Sequence, residues 1–297
     1  MEEGQTTGDP PCPDPALPVL LAGPTASGKS GLALRIAEAQ GRVIVNADAL
    51  QVYGHWRVLT ARPGPAEAAR APHLLYGHVA RRAAYSVGHW LRDLAGILQV
   101  HPNPVIVGGT GLYFTALTRG LAEIPPIPAA IRRTATARLA RDGRAALLAE
   151  LDAATRARID TANPARVLRA WEVLTATGRG LAAWHDATPP PLLPAGRAAR
   201  LVMEAERDWL NARVEARFDS MMAMGALEEV RAALPDFDPA RPGDRAIGAA
   251  ELAAHLRGET TREAAIAAAK AATRSYAKRQ RTWFRNRLGD WPRLHRP

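Results

Sequence analysis

A short apolar run, Pro18-Val-Leu-Leu-Ala22, leads at once into Gly23-Pro24-Thr25-Ala26-Ser27-Gly28-Lys29-Ser30, and then into Gly31-Leu-Ala-Leu-Arg-Ile-Ala-Glu38 at helical spacing. Strand, loop and helix in this order match the P-loop pattern G-x-x-x-x-G-K-[ST]. Its glycines let backbone N–H groups turn inward as an anion nest, and the N-terminus of the next helix adds its dipole. Lys29 contributes a point charge for phosphate, and the Ser30 hydroxyl is placed to ligand Mg²⁺. The pattern continues with a strand over Arg42–Asn46 and a helix over 87–99 with Ser86 as its N-cap. A third strand, Pro104–Val107, ends in Gly108-Gly109-Thr110 and opens a helix near 111–118. Alternation of this kind predicts an α/β fold of the P-loop NTPase-like class, a parallel sheet flanked by helices.

After Gly120 the composition changes. Two proline-rich hinges, Ile124–Pro128 and Pro189–Pro194, bracket a segment with helical patterning and no evident strand. Residues 121–195 therefore read as a helical insertion domain within a core of 18–120 and 196–297. Leu201–Ala205 reads as a returning strand, followed by helices at about 207–224, 226–233, 245–255 and 261–288. The first seventeen residues carry four acids and no Lys or Arg, and are expected to be a disordered tail. That tail holds the single cysteine, Cys12, so no disulfide framework or cysteine-cluster metal site is available. With no signal-peptide pattern and no long apolar run, a cytoplasmic protein without a membrane partner is expected, by default a monomer.

The net charge of +10 suggests an anionic partner, but 36 of the 39 basic residues are arginines, so single arginines say little. One cluster says more. Residues 270–297 hold nine Lys/Arg against one acid, and Arg274, Lys278, Arg281 and Arg285 recur at spacings that place them on one helix face. A stripe of this kind reads as a binder of phosphate backbone. The histidines show no metal-ligand spacing, and Met221-Met222-Ala-Met224 reads as core filler.

Asp48 follows the second strand, at the carboxyl edge where the P-loop also emerges. A carboxylate there suits general-base work, or else caps a turn. The strand ending in Gly108-Gly109 lacks the terminal Asp that holds Mg²⁺ in many ATPases, which points to the nest serving a leaving group.

Several ordered motifs resemble the tRNA dimethylallyltransferase (tRNA isopentenyltransferase) family. They are residues 23–30, Asn46-Ala-Asp-Ala-Leu-Gln-Val-Tyr53, Leu59-Thr-Ala-Arg-Pro63 and Val107-Gly-Gly-Thr-Gly-Leu-Tyr-Phe114. Asn163–Glu172, Ala246-Ile-Gly248 and Tyr276–Arg285 continue the match across about residues 19–290. The resemblance implies transfer of a dimethylallyl group from dimethylallyl diphosphate to the exocyclic amine of the adenosine 3′ to the anticodon. Asp48 is then the expected base, with Thr110 and Arg132 near the reacting groups. Gly23 through Ser30 become the diphosphate cradle, with Mg²⁺ on Ser30. Contacts to tRNA are implied for Asp48, Ala49, Leu50 and Gln51, for Ala165, Arg166, Val167, Leu168 and Arg169, for the stretch from Arg245, and for Thr110 and Arg132. The insert corresponds to the family's clamp on the anticodon stem-loop.

The chain departs from the family pattern at Ala49, where Ser is usual, at Ala249, where an aromatic is common, and at Arg62, where Lys is common. The alternative enzyme reading is a P-loop kinase of a small metabolite. Prenyl transfer to free adenine nucleotides is a second alternative, and a nucleic-acid-binding protein with a vestigial P-loop a third.

Overall fold

The computed structural model describes residues 13–296, which fall into two compact units, 13–118 with 192–296 and Arg119–Pro191. The first unit begins with β1 (Val19–Ala22), α1 (Lys29–Gln40), β2 (Ile44–Asn46), the single turn α2 (Pro65–Ala68) and β3 (His73–Leu74). It continues through α3 (Val87–Val100), β4 (Val105–Gly108) and α4 (Gly111–Arg119). The second unit holds α5 (Ala129–Ala149), α6 (Ala153–Arg158), α7 (Pro164–Thr177) and α8 (Leu181–Asp186). The chain then returns to the first unit as β5 (Ala199–Ala205), α9 (Arg207–Ala223), α10 (Ala226–Ala233), α11 (Ala249–Leu256), α12 (Arg262–Arg287) and β6 (Arg293–Arg296).

All strand pairs are parallel, in the order β3-β2-β4-β1-β5-β6. The central strands β1 (VLLA) and β4 (VIVG) are buried at every position, as continuous apolar runs in a sheet covered on both faces require. One face packs Leu20, Ile106, Trp90, Leu94 and Phe114, and the other packs Val19, Leu21, Leu32, Ile36 and Val107. Because the strands share one direction, the turns after β1, β2 and β4 all leave from the same edge. Ser86 caps α3 as its sequence predicts, its Oγ accepting from the His89 N–H at 3.3 Å.

Several expectations are corrected. Residues 1–12 of the expected tail, Cys12 included, lie outside the described residues, but residues 13–17 are tied down. The buried Arg42 guanidinium donates to the carbonyls of Leu17 (2.6 Å), Asp14 (2.9 Å) and Asn103 (3.1 Å), and Gln40 Nε2 donates to Pro13 O. The short strands β3 and β6 were not expected. Both are edge strands, two and four residues long, without an apolar alternation to announce them. The helix expected at 245–255 starts only at Ala249, because Gly248 takes a left-handed φ of +94° that breaks the preceding turn. Of the three methionines read as core filler, Met221 is buried but Met224 is 63% exposed.

In the second unit, α5 to α8 close over a core that includes Leu147, Val167, Ala170, Trp171 and Val173, with Trp184 packed against it. Trp171 Nε1 donates to Glu150 Oε2 at 2.6 Å, and Arg179 lies over the Trp184 ring. Among the described residues no helix is long and apolar enough to cross a membrane.

Candidate active site

The loop between β1 and α1 has the local geometry its residues dictate. Gly28 caps α1 at φ +85°, and Ala26 also takes a left-handed φ of +63°, which turns the loop back on itself. A side chain at Gly23 would meet Ser27 Oγ at 2.9 Å and Met203 Cβ at 3.0 Å, so only glycine fits there. The Ser27 hydroxyl is buried and has no hydrogen-bond partner among the described residues. Lys29 Nζ folds back to donate to Pro24 O at 3.3 Å. Burial pulls this ammonium down from 10.5 to about 8, opposed by the Asp48 carboxylate and helped by the Arg217 cation. Ser30 stands exposed in the first turn of α1.

Asp48 is held just beyond β2 by its own turn. The fully buried Asn46 accepts from the Asp48 N–H at 2.8 Å and donates to the Asp48 and Leu75 carbonyls. One carboxylate oxygen, Oδ1, accepts from the Leu50 N–H at 3.0 Å. Thr110 packs alongside, its Oγ1 accepting from the Ala49 N–H at 2.9 Å, so the backbone at the departure site Ala49 is satisfied without a serine. The glycines flanking Thr110 allow this approach. A Cβ at Gly108 would fall on the Ala47 carbonyl, at Gly109 on the Gln280 amide with Asp48 Oδ2 at 3.3 Å, and at Gly111 on the Trp283 indole.

Asp48 and Thr25 of the P-loop line one cavity together with Leu50, Gln51, Leu59, Thr60, Val214, Arg217, Phe218, Met221, Ile247, Thr273 and Tyr276. Its polar side chains are largely engaged elsewhere. Gln51 Nε2 donates to the Thr60 and Ala61 carbonyls, and the Thr60 hydroxyl donates to Trp56 O. Burial and the Asp48 charge hold the Tyr276 phenol well above its ordinary pKa, with nearby Thr110 and Gln280 opposing the shift. Arg217 differs. Burial lowers its pKa, the Asp48 charge opposes that, and no carboxylate among the described residues pairs with it. A half-buried guanidinium and a half-buried ammonium that share one carboxylate leave an excess of positive charge, which suits a polyanion.

Two residues of this site escaped the sequence reading. Gln280 faces inward from α12, accepting from the Thr25 N–H at 2.8 Å and donating to Gly109 O at 2.9 Å, and so ties the P-loop to the turn after β4. It sits inside the Tyr276–Arg285 motif, where an uncharged residue among cations was the available signal. Arg217, one arginine among 36, offered none.

The remaining predicted residues fall elsewhere. Arg132 on α5 and residues 165–169 on α7 belong to the second unit. Ala165 and Arg166 are exposed, Leu168 and Arg169 half-buried, and Val167 is fully buried in that unit's core. Arg245 precedes the cavity residue Ile247 and donates to Ala240 O. On α12, Lys278, Arg281 and Arg285 are exposed and line a groove of ≈ 410 Å³ with Arg207. Arg274 also lines it but is paired with Glu215 of α9, which also pairs with Lys270. Position 249 is fully buried in the core between α9, α11 and α12, so its side chain does not reach the cavity. Arg62 donates to the carbonyls of Gly54 and Trp56, bracing its own loop. Among the described residues no three His, Cys, Asp or Glu are grouped to hold a metal ion.

A family model described as IPP transferase matches residues 51–287. The chain belongs to the IPP transferase family. A tRNA dimethylallyltransferase of Cereibacter sphaeroides is 62% identical over 283 residues, covering 95% of this chain and 90% of the relative. Among solved structures, the full-length tRNA isopentenylpyrophosphate transferase of Bacillus halodurans is 27% identical with a TM-score of 0.66, over 94% of this chain and 90% of that one. A eukaryotic dimethylallyltransferase acting on tRNA, at 22% identity, shares the fold with a TM-score of 0.79 over 94% of this chain and 73% of that one. As a member of the IPP transferase family the protein is a transferase, and the small-metabolite kinase alternative finds no support among these relatives.

Proposed function

We propose that the protein transfers a dimethylallyl group from dimethylallyl diphosphate to the exocyclic amine of the adenosine 3′ to the anticodon of tRNA, releasing diphosphate. The observation that carries this reading is that Thr25 of the P-loop and the Asp48 carboxylate line a single cavity together with Leu50, Leu59, Val214, Phe218, Met221 and Ile247.

In this reading the P-loop amides, Lys29 and Arg217 take up the diphosphate, and stabilise the negative charge that grows on it as the allylic C–O bond breaks. The adenine amine is a weak nucleophile because its lone pair is delocalised into the ring. As its nitrogen bonds to the allylic carbon, Asp48 accepts the amine proton, and the electron pair of the broken bond leaves with the diphosphate. The Leu50 N–H holds the carboxylate in place for this step, and Asn46 fixes the Asp48 backbone that carries it. The base reaches the cavity only after leaving its stack.

Mg²⁺ keeps most of its waters and binds chiefly through substrate phosphates, so a single hydroxyl such as that of Ser30 fits the role of protein ligand. When bound there, the ion would neutralise phosphate charge.

Lys278, Arg281, Arg285 and Arg207 supply an exposed cationic groove suited to the RNA backbone, and Arg166 and Arg169 of α7 extend the same chemistry in the second unit. Incubated with an anticodon stem-loop RNA, the protein is expected to consume dimethylallyl diphosphate, release diphosphate, raise the RNA mass by one dimethylallyl group and leave ATP intact. ATP consumption with unmodified RNA would contradict the proposal.

A further inference from the structure

The α9 face that lines the cavity carries Val214, Arg217, Phe218 and Met221 at i, i+3, i+4 and i+7. Its near end is fixed to the P-loop, where Arg213 Nε donates to Ala26 O at 2.9 Å. Met221 lies eight residues further on, ~12 Å along the helix axis. The cavity therefore extends from Thr25 of the P-loop along α9 toward Met221.

That end suits a hydrocarbon better than a purine. A purine needs partners for its ring nitrogens, whereas the Gln51 amide and the Thr60 and Thr273 hydroxyls already donate to backbone carbonyls. What remains is Leu50, Leu59, Val214, Phe218, Met221 and Ile247. At ≈ 50 Å³ the cavity is far smaller than the ≈ 410 Å³ groove on α12, so a longer chain enters it only if its wall gives way.

Phe218 and Met221 close the space. They are 2% and 5% exposed, and behind them lie Ala226, Ala246, Ala249, Ala265 and Ala269, whose short side chains cannot advance into a gap. A Cβ on Gly248 would meet Phe218 Cε2 at 3.0 Å, so the ring is also held from behind.

We propose that Met221 and Phe218 form the floor that limits the transferred group to five carbons. This rests on the reading of the cavity as the isoprenoid's site. The test measures kcat/KM with dimethylallyl and with geranyl diphosphate on the same stem-loop RNA. Met221→Ala is expected to raise the geranyl-to-dimethylallyl ratio at least tenfold, with the gain in the geranyl reaction. Phe218→Leu, a milder truncation of the same floor, is expected to move the ratio in the same direction and serves if Met221→Ala does not fold. An unchanged ratio in a folded variant that still transfers dimethylallyl overturns the floor assignment and leaves the transferase reading standing. A wild-type protein that transfers neither group overturns the reading on which it rests.

Discussion

Replacing Lys29 with methionine is expected to lower kcat/KM for dimethylallyl diphosphate by about 10²- to 10³-fold, the usual effect of removing one donor to a developing oxyanion. The stem of the side chain is kept, so the loop should hold its shape. Lys29 does not touch the cationic groove on α12, so RNA affinity measured by fluorescence anisotropy should stay within about threefold. The same residue predicts a pH profile. In the free protein its ammonium titrates near 8, and it is charged below that value and neutral above it. Affinity for a diphosphate should therefore be full at pH 7 and fall as pH rises through 8, and the falling limb should vanish in Lys29→Met. A variant with wild-type kcat/KM, or one that loses RNA binding in proportion, would show that the loop is a structural turn.

Asp48→Asn separates a base from a turn-capping acid. Asparagine keeps an oxygen for the Leu50 N–H and nearly the same shape, so a residue that only braces its turn should tolerate it. A carboxylate that accepts the amine proton cannot be replaced this way, and kcat is expected to fall by about 10²- to 10⁴-fold. The KM values for both substrates should move little, because the contribution is made in the transition state. Single-turnover transfer of labelled dimethylallyl to a stem-loop RNA measures this directly. A kcat within threefold of wild type would remove Asp48 from the chemistry.

What could be read from sequence was what neighbouring residues encode. The strand–loop–helix at 18–38, the Ser86 cap and the position of Asp48 after a strand each depend on a few consecutive residues, and the structure reproduces them. What escaped depends on partners far along the chain. The α12 stripe looks free of acids in sequence, but Glu215 and Asp219 reach Arg274 and Lys270 from α9, more than fifty residues away. Arg42 was indistinguishable from a surface arginine until the carbonyls of Asp14, Leu17 and Asn103 converged on it. The same holds for Arg217, which finds no counter-ion other than Asp48 nearby among the described residues. β6, with sequence Arg-Leu-His-Arg, exists because β5 offers it an edge, not because its residues favour a strand.

The departure at position 249 has a similar physical explanation. A family pattern with an aromatic there suggests a stacking surface, yet the position points into an alanine-rich core and contributes nothing to the cavity wall. The alanine therefore alters packing behind the floor and leaves the surface presented to substrate unchanged.

The most direct measurement is a structure of the protein soaked with the thio analogue of dimethylallyl diphosphate, whose C–S bond resists cleavage, together with a stem-loop RNA. The diphosphate is expected on the loop from Gly23 to Ser30 between Lys29 and Arg217, the five carbons against Phe218 and Met221, and the target amine within hydrogen-bonding reach of Asp48. A diphosphate held instead in the groove of Lys278, Arg281 and Arg285, or an RNA amine on the far side of the sheet from Asp48, would contradict it.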